Sequence, residues 1–309
     1  MKILEVKNLH IRFKNQVKAL RNLSLSLAKG EKLGVVGESG CGKTILMKAL
    51  LGLLPSAAIV EQGEVLYKNL DLLKLTESEL QKIRGREIGM IFQDPMTSLN
   101  PTMKMGRQIA EGFLRHNPQM GKKEGRQIAL ELLKQVGIPE PELRLDQYPH
   151  LLSGGLRQRA LIALALAAKP QILIADEPTT ALDVTVQAQI LELLSHLQKE
   201  KSTLLITHDL SLVAGFCDRV VVMYAGEVVE EGDVETLFTH PQHPYTQKLL
   251  ASIPGDHPLH PIPGSPPDLA TYSPGCAFSN RCDQALEICS KQPPPFFNQT
   301  RCWLYDPRR

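Results

Sequence analysis

The sequence predicts an α/β fold organised around a phosphate-binding loop, and three observations carry that prediction. A Gly-x-x-x-x-Gly-Lys-Thr pattern spans residues 37–44 between an apolar strand and an apolar helix. Later apolar runs end abruptly in polar side chains, as buried strands of open α/β sheets do at their ligand-binding edge. The segments between them have helical spacing of apolar residues. The chain is therefore predicted to form a sheet of buried strands connected by helices.

The phosphate-binding loop has the strand and helix context that its function requires, with a strand predicted at 33–36 and a helix at 45–54. Glycines let backbone amides surround a polyphosphate, and the helix adds the positive end of its dipole. Lys43 is predicted to contact the outer phosphates and the Thr44 hydroxyl to bind magnesium. The alternative is a glycine-rich turn without a nucleotide. We predict nucleotide contacts from Gly37, Glu38, Ser39, Gly40, Cys41, Gly42, Lys43, Thr44 and Ile45.

Composition excludes several classes of protein. The 309 residues suffice for one large domain or two, and 43% of them are apolar. A net charge of +2 is too weak to indicate nucleic-acid binding. The sequence shows neither a signal-peptide pattern nor an uninterrupted membrane span, so we expect a cytosolic protein.

The first half of the chain contributes two candidate ligand contacts. Residues 3–9 and 23–27 alternate as strands do, and Phe13 lies between them. Its ring could stack on an adenine or pack in the core. A strand predicted at 88–92 delivers Gln93 at its carboxyl end, where ligand contacts occur in open α/β sheets. Gln93 is a candidate for contact with magnesium or an attacking water.

A helical insertion follows, because the segments 103–116 and 123–136 predict helices with no strand between them. The insertion is followed by the segment Leu152-Ser153-Gly154-Gly155, which leads into a small apolar helix predicted at 160–168. Ser153 is a favourable N-cap, and the glycines leave the first amides uncovered, which predicts an anion site. The alternative is an ordinary capped helix.

Two further strands are followed by residues that could bind metal or take part in catalysis. The apolar strand at 172–176 ends with Asp176 and is followed by Glu177. Asp176 is predicted to hold magnesium through its water shell, and Glu177 to accept a proton from the water that attacks a γ-phosphate. A solvated acidic pair is the alternative. The strand at 203–207 precedes His208, which would sense the γ-phosphate, although a lone histidine is usually structural.

The composition shifts after residue 233. A proline-rich run at 254–274 predicts no regular structure, and the histidines between 240 and 260 are interpreted as loop residues. Four cysteines follow with the spacing C-x5-C-x6-C-x12-C, at Cys276, Cys282, Cys289 and Cys302. This spacing supports a four-thiolate site without choosing zinc or iron–sulfur, and reduced free thiols are the alternative.

These motifs occur in one order, and the chain from residue 1 to about 240 thereby resembles the ATP-binding subunits of ABC transporters. The resemblance implies a P-loop NTPase with a RecA-like core, an antiparallel β subdomain, a helical ABC subdomain and a C-terminal cysteine-containing extension. The core is expected at 1–93 and 169–235, the helical signature subdomain at 94–168 and the extension at 236–309.

The resemblance also implies roles for individual residues. Phe13 takes the adenine-stacking position, Gln93 the Q-loop and His208 the switch histidine. The signature, which acts on the ATP of a partner subunit, and the D-loop correspond to Ser153, Gly154, Gly155 and Asp183. Catalysis is then expected from Glu177, His208 and Gln93, with Mg²⁺ held by Thr44, Gln93 and Asp176.

Two stretches narrow the resemblance to the oligopeptide, dipeptide and nickel importer branch: residues 93–101, and 243–246 with the cysteines. In that branch the cysteines are associated with a 4Fe-4S cluster, which favours iron–sulfur over zinc. The implied protein is a peripheral ATPase subunit on the cytoplasmic face of the inner membrane that powers uptake of di- and oligopeptides. The implied partners are a second ABC ATPase in a heterodimer, two transmembrane permease subunits and an extracytoplasmic substrate-binding protein, without nucleic acid.

Other functions remain open at this point. An importer for nickel or another small solute would share these features. A soluble ABC ATPase of DNA repair or translation would be expected to carry two cassettes, a coiled-coil insertion or a basic surface. A regulatory subunit without turnover conflicts with Glu177 and His208, and a redox enzyme conflicts with the absence of a second cofactor motif.

Overall fold

The computed structural model describes residues 1–180, 182–253, 261–270 and 274–308. It contains two compact units, Met1–Lys74 with Leu205–Arg309, and Leu75–Leu204. The strands are β1 (Lys2–Phe13), β2 (Lys18–Ala28), β3 (Lys32–Val36), β4 (Ala58–Tyr67), β5 (Leu70–Asp71), β6 (Ile88–Ile91), β7 (Ile172–Asp176), β8 (Ser202–Thr207), β9 (Arg219–Tyr224) and β10 (Glu227–Asp233). The helices are α1 (Lys43–Leu50), α2 (Glu77–Ile83), α3 (Pro95–Ser98), α4 (Met105–Leu114), α5 (Lys122–Gln135), α6 (Pro141–Arg144), α7 (Gly154–Leu166), α8 (Val184–Leu197), α9 (Leu210–Phe216), α10 (Val234–Thr239) and α11 (Pro244–Ala251).

The first unit contains an antiparallel sheet with the strand order β2-β1-β4-β5. The central strand β1 pairs antiparallel with both β2 and β4. Alternating apolar residues give the sheet one buried face, on which Leu4, Val6 and Leu9 are at most 1% exposed. This sheet is the expected antiparallel β subdomain.

The strand that carries the phosphate-binding loop lies in a second sheet segment of the same unit. Strand β3 pairs in parallel with β9, and β9 pairs antiparallel with β10. Four of the five residues of β3 are buried, in agreement with an apolar run in a covered sheet. The loop therefore starts from a rigid, buried strand.

In the second unit, β6 pairs with β7 in parallel, with Ile91 opposite Ala175. Parallel pairing in this register brings the carboxyl ends of both strands to one edge. Between residues 94 and 168, all of which are described, the regular elements are helices, as the sequence predicts.

Two helix boundaries differ from the prediction by four residues or more. The helix expected at 45–54 ends at Leu50, because Gly52 adopts φ 62° and closes a Schellman turn. In this turn the Leu53 amide donates to the Lys48 carbonyl over 2.7 Å. The helix expected at 160–168 already begins at Gly154, since Ser153 caps it there.

The residues after α11 contain short 3₁₀ turns, and Phe278 among them completes an aromatic cluster in the first unit. The aromatic rings of Tyr224, Tyr245 and Phe278 pack together with centroid separations of 4.5 to 5.4 Å. All three side chains are almost completely buried. Within the predicted proline-rich run, the described residues 261–270 and 274 form neither helix nor strand, and the remainder lies outside the described residues.

Candidate nucleotide-binding and hydrolysis site

The phosphate-binding loop leaves β3 at a glycine that the packing requires. A Cβ atom at Gly37 would lie 2.2 Å from the backbone oxygen of Met223. Lys43 is 7% exposed, and its Nζ donates to the backbone carbonyls of Gly37 and Glu38. The ammonium group is thus held over its own loop, where the outer phosphates of a nucleotide would meet it.

The loop passes into α1 through Gly42, which has φ 107°. A Cβ atom at Gly42 would lie 2.7 Å from the Ala19 carbonyl oxygen, so both conformation and space require glycine. No side chain caps the start of this helix. Its first amides are consequently available to an anion, and the Thr44 hydroxyl is on an exposed residue beside them.

His208 lies beside the first half of this loop. It follows β8 as an exposed residue and lines a cavity of about 330 Å³ in the first unit. The cavity is also lined by Gly37, Glu38, Ser39, Leu249, Ser252 and Ile262. This position suits a sensor of the terminal phosphate, and that role stays a prediction. Phe13 is half-buried at the end of β1, and its adenine contact also stays a prediction.

The second unit brings Gln93 and Glu177 together. Nε2 of Gln93 donates to Oε2 of Glu177 over 3.0 Å, and the Thr180 hydroxyl donates to the same oxygen over 3.0 Å. Glu177 has φ 44°, a left-handed conformation that is uncommon for a residue with a side chain. Such conformations concentrate at functional positions. Asp176, at the end of β7, is only 7% exposed.

Gln158 also supports this strand end, although sequence analysis did not identify it. Its side chain is 2% exposed on α7, and Nε2 donates to the backbone carbonyl of Pro178 over 2.5 Å. The contact ties the helix after the signature to the residue that follows Glu177. A buried amide in the apolar stretch 156–166 was the available signal, because buried polar groups need partners.

The signature segment is open. Ser153 and Gly154 are exposed, and the Ser153 hydroxyl accepts the Leu156 amide at 3.4 Å as an N-cap. A Cβ at Gly154 would meet nothing within 4 Å, and at Gly155 it would meet only Val186 at 3.7 Å. The start of α7 can therefore be approached from outside the unit. Asp183 caps α8 by accepting the Val186 amide at 3.0 Å.

Two residues after β8 contact the phosphate-binding loop and were not identified from sequence. The Tyr245 hydroxyl accepts the Glu38 amide at 2.9 Å, and the Arg281 guanidinium binds both carboxylate oxygens of Glu38. His243, interpreted above as a loop residue, is instead a buried N-cap whose Nδ1 accepts the Tyr245 amide at 3.0 Å. Burial lowers its pKa to about 3.

The four C-terminal cysteines are free thiols, and Cys276, Cys282 and Cys302 each lie near Cys289. Burial is the main cause that raises the pKa of Cys276 to about 12 and that of Cys302 to about 11, and neighbouring thiols add to both. The Cys276 amide donates to the Cys289 carbonyl over 2.7 Å. However, among the described residues no group of three or more His, Cys, Asp or Glu side chains converges as a metal site. The structure therefore does not support the expected 4Fe-4S cluster or its zinc alternative.

Two stretches of the chain match models of known protein families. Residues 20–180 match the model of the ABC transporter family, and residues 229–289 match the C-terminal region of oligopeptide/dipeptide transporters. The dipeptide transport ATP-binding protein DppD of Lactococcus lactis is 54% identical, over 99% of this chain and 92% of that protein. The oligopeptide transport ATP-binding protein OppD of Bacillus subtilis is 51% identical, over 99% and 90%.

Solved structures agree with the fold. A dimeric ATP-binding cassette in a post-hydrolysis state with ADP and Pi is similar with a TM-score of 0.67 and 31% identity, over 75% of this chain and 98% of that one. An ABC transporter subunit from Clostridium perfringens gives a TM-score of 0.68 and 30% identity, over 77% and 91%. In the described part of this chain, helices are too short or too polar to cross a membrane. The chain belongs to the ABC transporter ATP-binding family, in the branch that carries the oligopeptide/dipeptide transporter C-terminal region.

Proposed function

We propose that this chain hydrolyses ATP to power the uptake of di- and oligopeptides through a membrane transporter. The observation that carries the hydrolytic part is the Glu177 carboxylate, which Gln93 and Thr180 hold immediately after a buried strand. The peptide part is supported by full-length similarity to DppD and OppD proteins.

Each residue has a distinct part in the proposed hydrolysis. The amides of the phosphate-binding loop and Lys43 bind the phosphates, and Phe13 stacks on the adenine. Glu177 accepts the proton of the attacking water, while Gln93 and His208 orient the water and the γ-phosphate. Mg²⁺, when bound, neutralises phosphate charge; Thr44, Gln93 and Asp176 are the residues that would hold it.

The signature segment is proposed to act on the ATP of a second subunit. Ser153 and Gly154 are exposed at the start of a 13-residue helix, and uncovered amides at a helix start bind phosphate. One chain has one phosphate-binding loop and one signature, so ATP would be enclosed between two subunits. We propose a heterodimer with a related ATPase, in which Asp183 contributes the D-loop contact.

We further propose that the four cysteines bind a 4Fe-4S cluster when loaded. The proposal rests on the four thiols, which match this group in ligand number and type, and binding would have to bring their sulfur atoms together. Anaerobic purification followed by iron and sulfide analysis tests this proposal. Four iron and four sulfide per chain support it, bound zinc supports the alternative, and neither metal contradicts both.

The partners can be tested directly. We expect affinity purification from gently solubilised native membranes to recover two permease subunits, a second ABC ATPase and an extracytoplasmic binding protein, as for a peripheral subunit on the cytoplasmic face of the inner membrane. Peptide uptake should then depend on Glu177, with Glu177→Gln as the inactive control. Recovery of the chain alone, or with nucleic-acid enzymes, contradicts the importer. Ligand screening of the binding protein separates peptides from nickel and other small solutes.

A further inference from the structure

Glu38 of the phosphate-binding loop forms hydrogen bonds with the C-terminal region, residues 236–309. Its amide donates to the Tyr245 hydroxyl over 2.9 Å, and its carbonyl accepts from Lys43 over 3.0 Å. Its carboxylate forms a bidentate pair with Arg281, at 2.7 Å from Nη1 and 3.0 Å from Nη2. The Cys41 amide also donates to the Glu38 carbonyl, over 3.3 Å. Every polar group of Glu38 is therefore engaged, and two of its four partners, Tyr245 and Arg281, come from the C-terminal region.

The Arg281 side chain is held in place by contacts with residues outside the loop. The residue is 8% exposed, and its Nε donates to the Pro263 carbonyl over 2.8 Å. Nη1 also donates to the Tyr224 hydroxyl over 3.1 Å. The guanidinium lies near the rings of Tyr224 and Phe278, at 5.8 and 5.9 Å from their centroids. This packing gives the side chain one orientation, with its two nitrogens toward Glu38.

A carboxylate in this position is unfavourable for the function of the loop. Glu38 is flanked by Gly37 and Ser39, and all three line the same cavity as His208. An unpaired negative charge here would repel the phosphates of ATP. A bidentate guanidinium compensates that charge and holds the carboxylate in a fixed position, which a lysine would do less well.

We propose that Arg281 is a positioning residue for ATP binding, which neutralises and orients Glu38 of the phosphate-binding loop and so makes the C-terminal region a working part of the nucleotide site. This proposal rests on the assignment of residues 37–44 as that site. It extends the proposed function because it gives the region around the cysteines a direct effect on ATP affinity.

A double-mutant cycle tests the proposal on the full-length chain, with the dissociation constant for ATP in the presence of Mg²⁺ measured by isothermal titration calorimetry. Arg281→Gln leaves the Glu38 charge uncompensated and should weaken ATP binding roughly tenfold. Glu38→Gln removes the charge itself and keeps the backbone amide of the loop, so it should weaken ATP binding less than Arg281→Gln does. The double variant should recover most of the affinity lost in Arg281→Gln, because the repulsive charge is gone.

Arg301→Gln is the matched control. Arg301 also joins the C-terminal region to strand β10, through Nε and the Val228 carbonyl over 3.0 Å and through its amide and the Val229 carbonyl over 2.8 Å, and these bonds are to the strand rather than to the loop. It should therefore leave ATP affinity unchanged. Circular dichroism and the unfolding midpoint of each variant report whether it folds. If Arg281→Gln does not fold, Arg281→Lys should fold and bind ATP with intermediate affinity.

Two results overturn the proposal. One is an Arg281→Gln variant that folds and binds ATP as tightly as the unsubstituted chain. The other is a double variant that binds as weakly as Arg281→Gln alone, because this outcome assigns the contact a purely structural role. If the unsubstituted chain itself binds no ATP, the nucleotide assignment fails instead, so the two failures are distinguishable.

Discussion

The Gln93 amide and the Glu177 carboxylate form a 3.0 Å hydrogen bond at the ends of the neighbouring parallel strands β6 and β7. The strand register brings them together, since Ile91 lies opposite Ala175 and each strand ends close to these residues. The Thr180 hydroxyl holds the same carboxylate oxygen. Glu177 is therefore oriented by two side chains of its own unit.

Glu177→Gln removes a base but keeps the size and much of the hydrogen bonding of this side chain. We expect ATP hydrolysis to fall by a factor on the order of 10² to 10⁴, the usual contribution of general base catalysis. ATP affinity should be retained, because Glu177 has no part in binding the phosphates. Steady-state phosphate release and calorimetry measure the two quantities on the same sample. Hydrolysis at the rate of the unsubstituted chain would contradict the mechanism.

Gln158→Leu tests the support beneath Glu177. The Pro178 carbonyl loses the Gln158 donor in a buried environment, which should lower the free energy of unfolding by about 1–3 kcal/mol. Because the lost contact adjoins Glu177, kcat should also fall while ATP affinity changes little. The exposed Gln127→Leu is the control and should shift stability by about 0.5 kcal/mol or less. Urea unfolding and ATPase assays measure both effects, and an unchanged kcat in Gln158→Leu excludes the support role.

Gly42→Ala tests the geometry of the loop. A Cβ atom there meets the Ala19 carbonyl oxygen at 2.7 Å and must adopt φ near 107°. We expect ATP affinity to fall at least about tenfold as the start of α1 shifts. Gly30→Ala is a matched control, since Gly30 has φ 80° but open space around it. It should cost about 1–2 kcal/mol of stability and leave ATP binding intact. Equal ATP affinity in both variants would show that the loop tolerates the clash.

His243 predicts a pH-dependent stability. Its pKa is about 3 in the folded chain because it is buried, compared with an ordinary value of 6.5. Between these values the unfolded state binds a proton that the folded state does not. The free energy of unfolding should therefore fall by about 1.4 kcal/mol per pH unit as the pH drops below about 6.

His243→Asn isolates this contribution, because an asparagine oxygen can still cap α11. Its stability should depend less on pH between 6 and 4 than that of the unsubstituted chain, as measured by chemical denaturation at several pH values. The neighbouring exposed His240→Asn should keep the original slope. Identical slopes in all three proteins would show that His243 becomes protonated within the folded state.

Sequence alone predicted the features that depend on local pattern. Gln93, Asp176 and Glu177 were placed correctly at strand ends, because apolar runs identify buried strands and parallel strands present their ends together. The end of α1 was misplaced by four residues, since the apolar run through Leu53 and Leu54 continues past the Gly52 turn.

Contacts between residues far apart in the chain could not be predicted from the sequence in the same way. Arg281 and Glu38 are separated by 243 residues, and no sequence pattern predicts that they form a pair. His243 was taken for a loop residue because its burial depends on Phe278 and the neighbouring rings. These contacts form only when the whole unit packs, so they cannot be predicted from the periodicity of apolar residues along the sequence.

The separation of Glu38 and Arg281 along the chain also determines the order in which the two residues are synthesised. Ribosomes add the phosphate-binding loop before the arginine, which follows Glu38 by 243 residues. With Arg281 in its proposed role, a nascent or prematurely terminated chain carries the loop without its counter-charge. Full ATP affinity would then be reached only after Arg281 has been synthesised and has paired with Glu38.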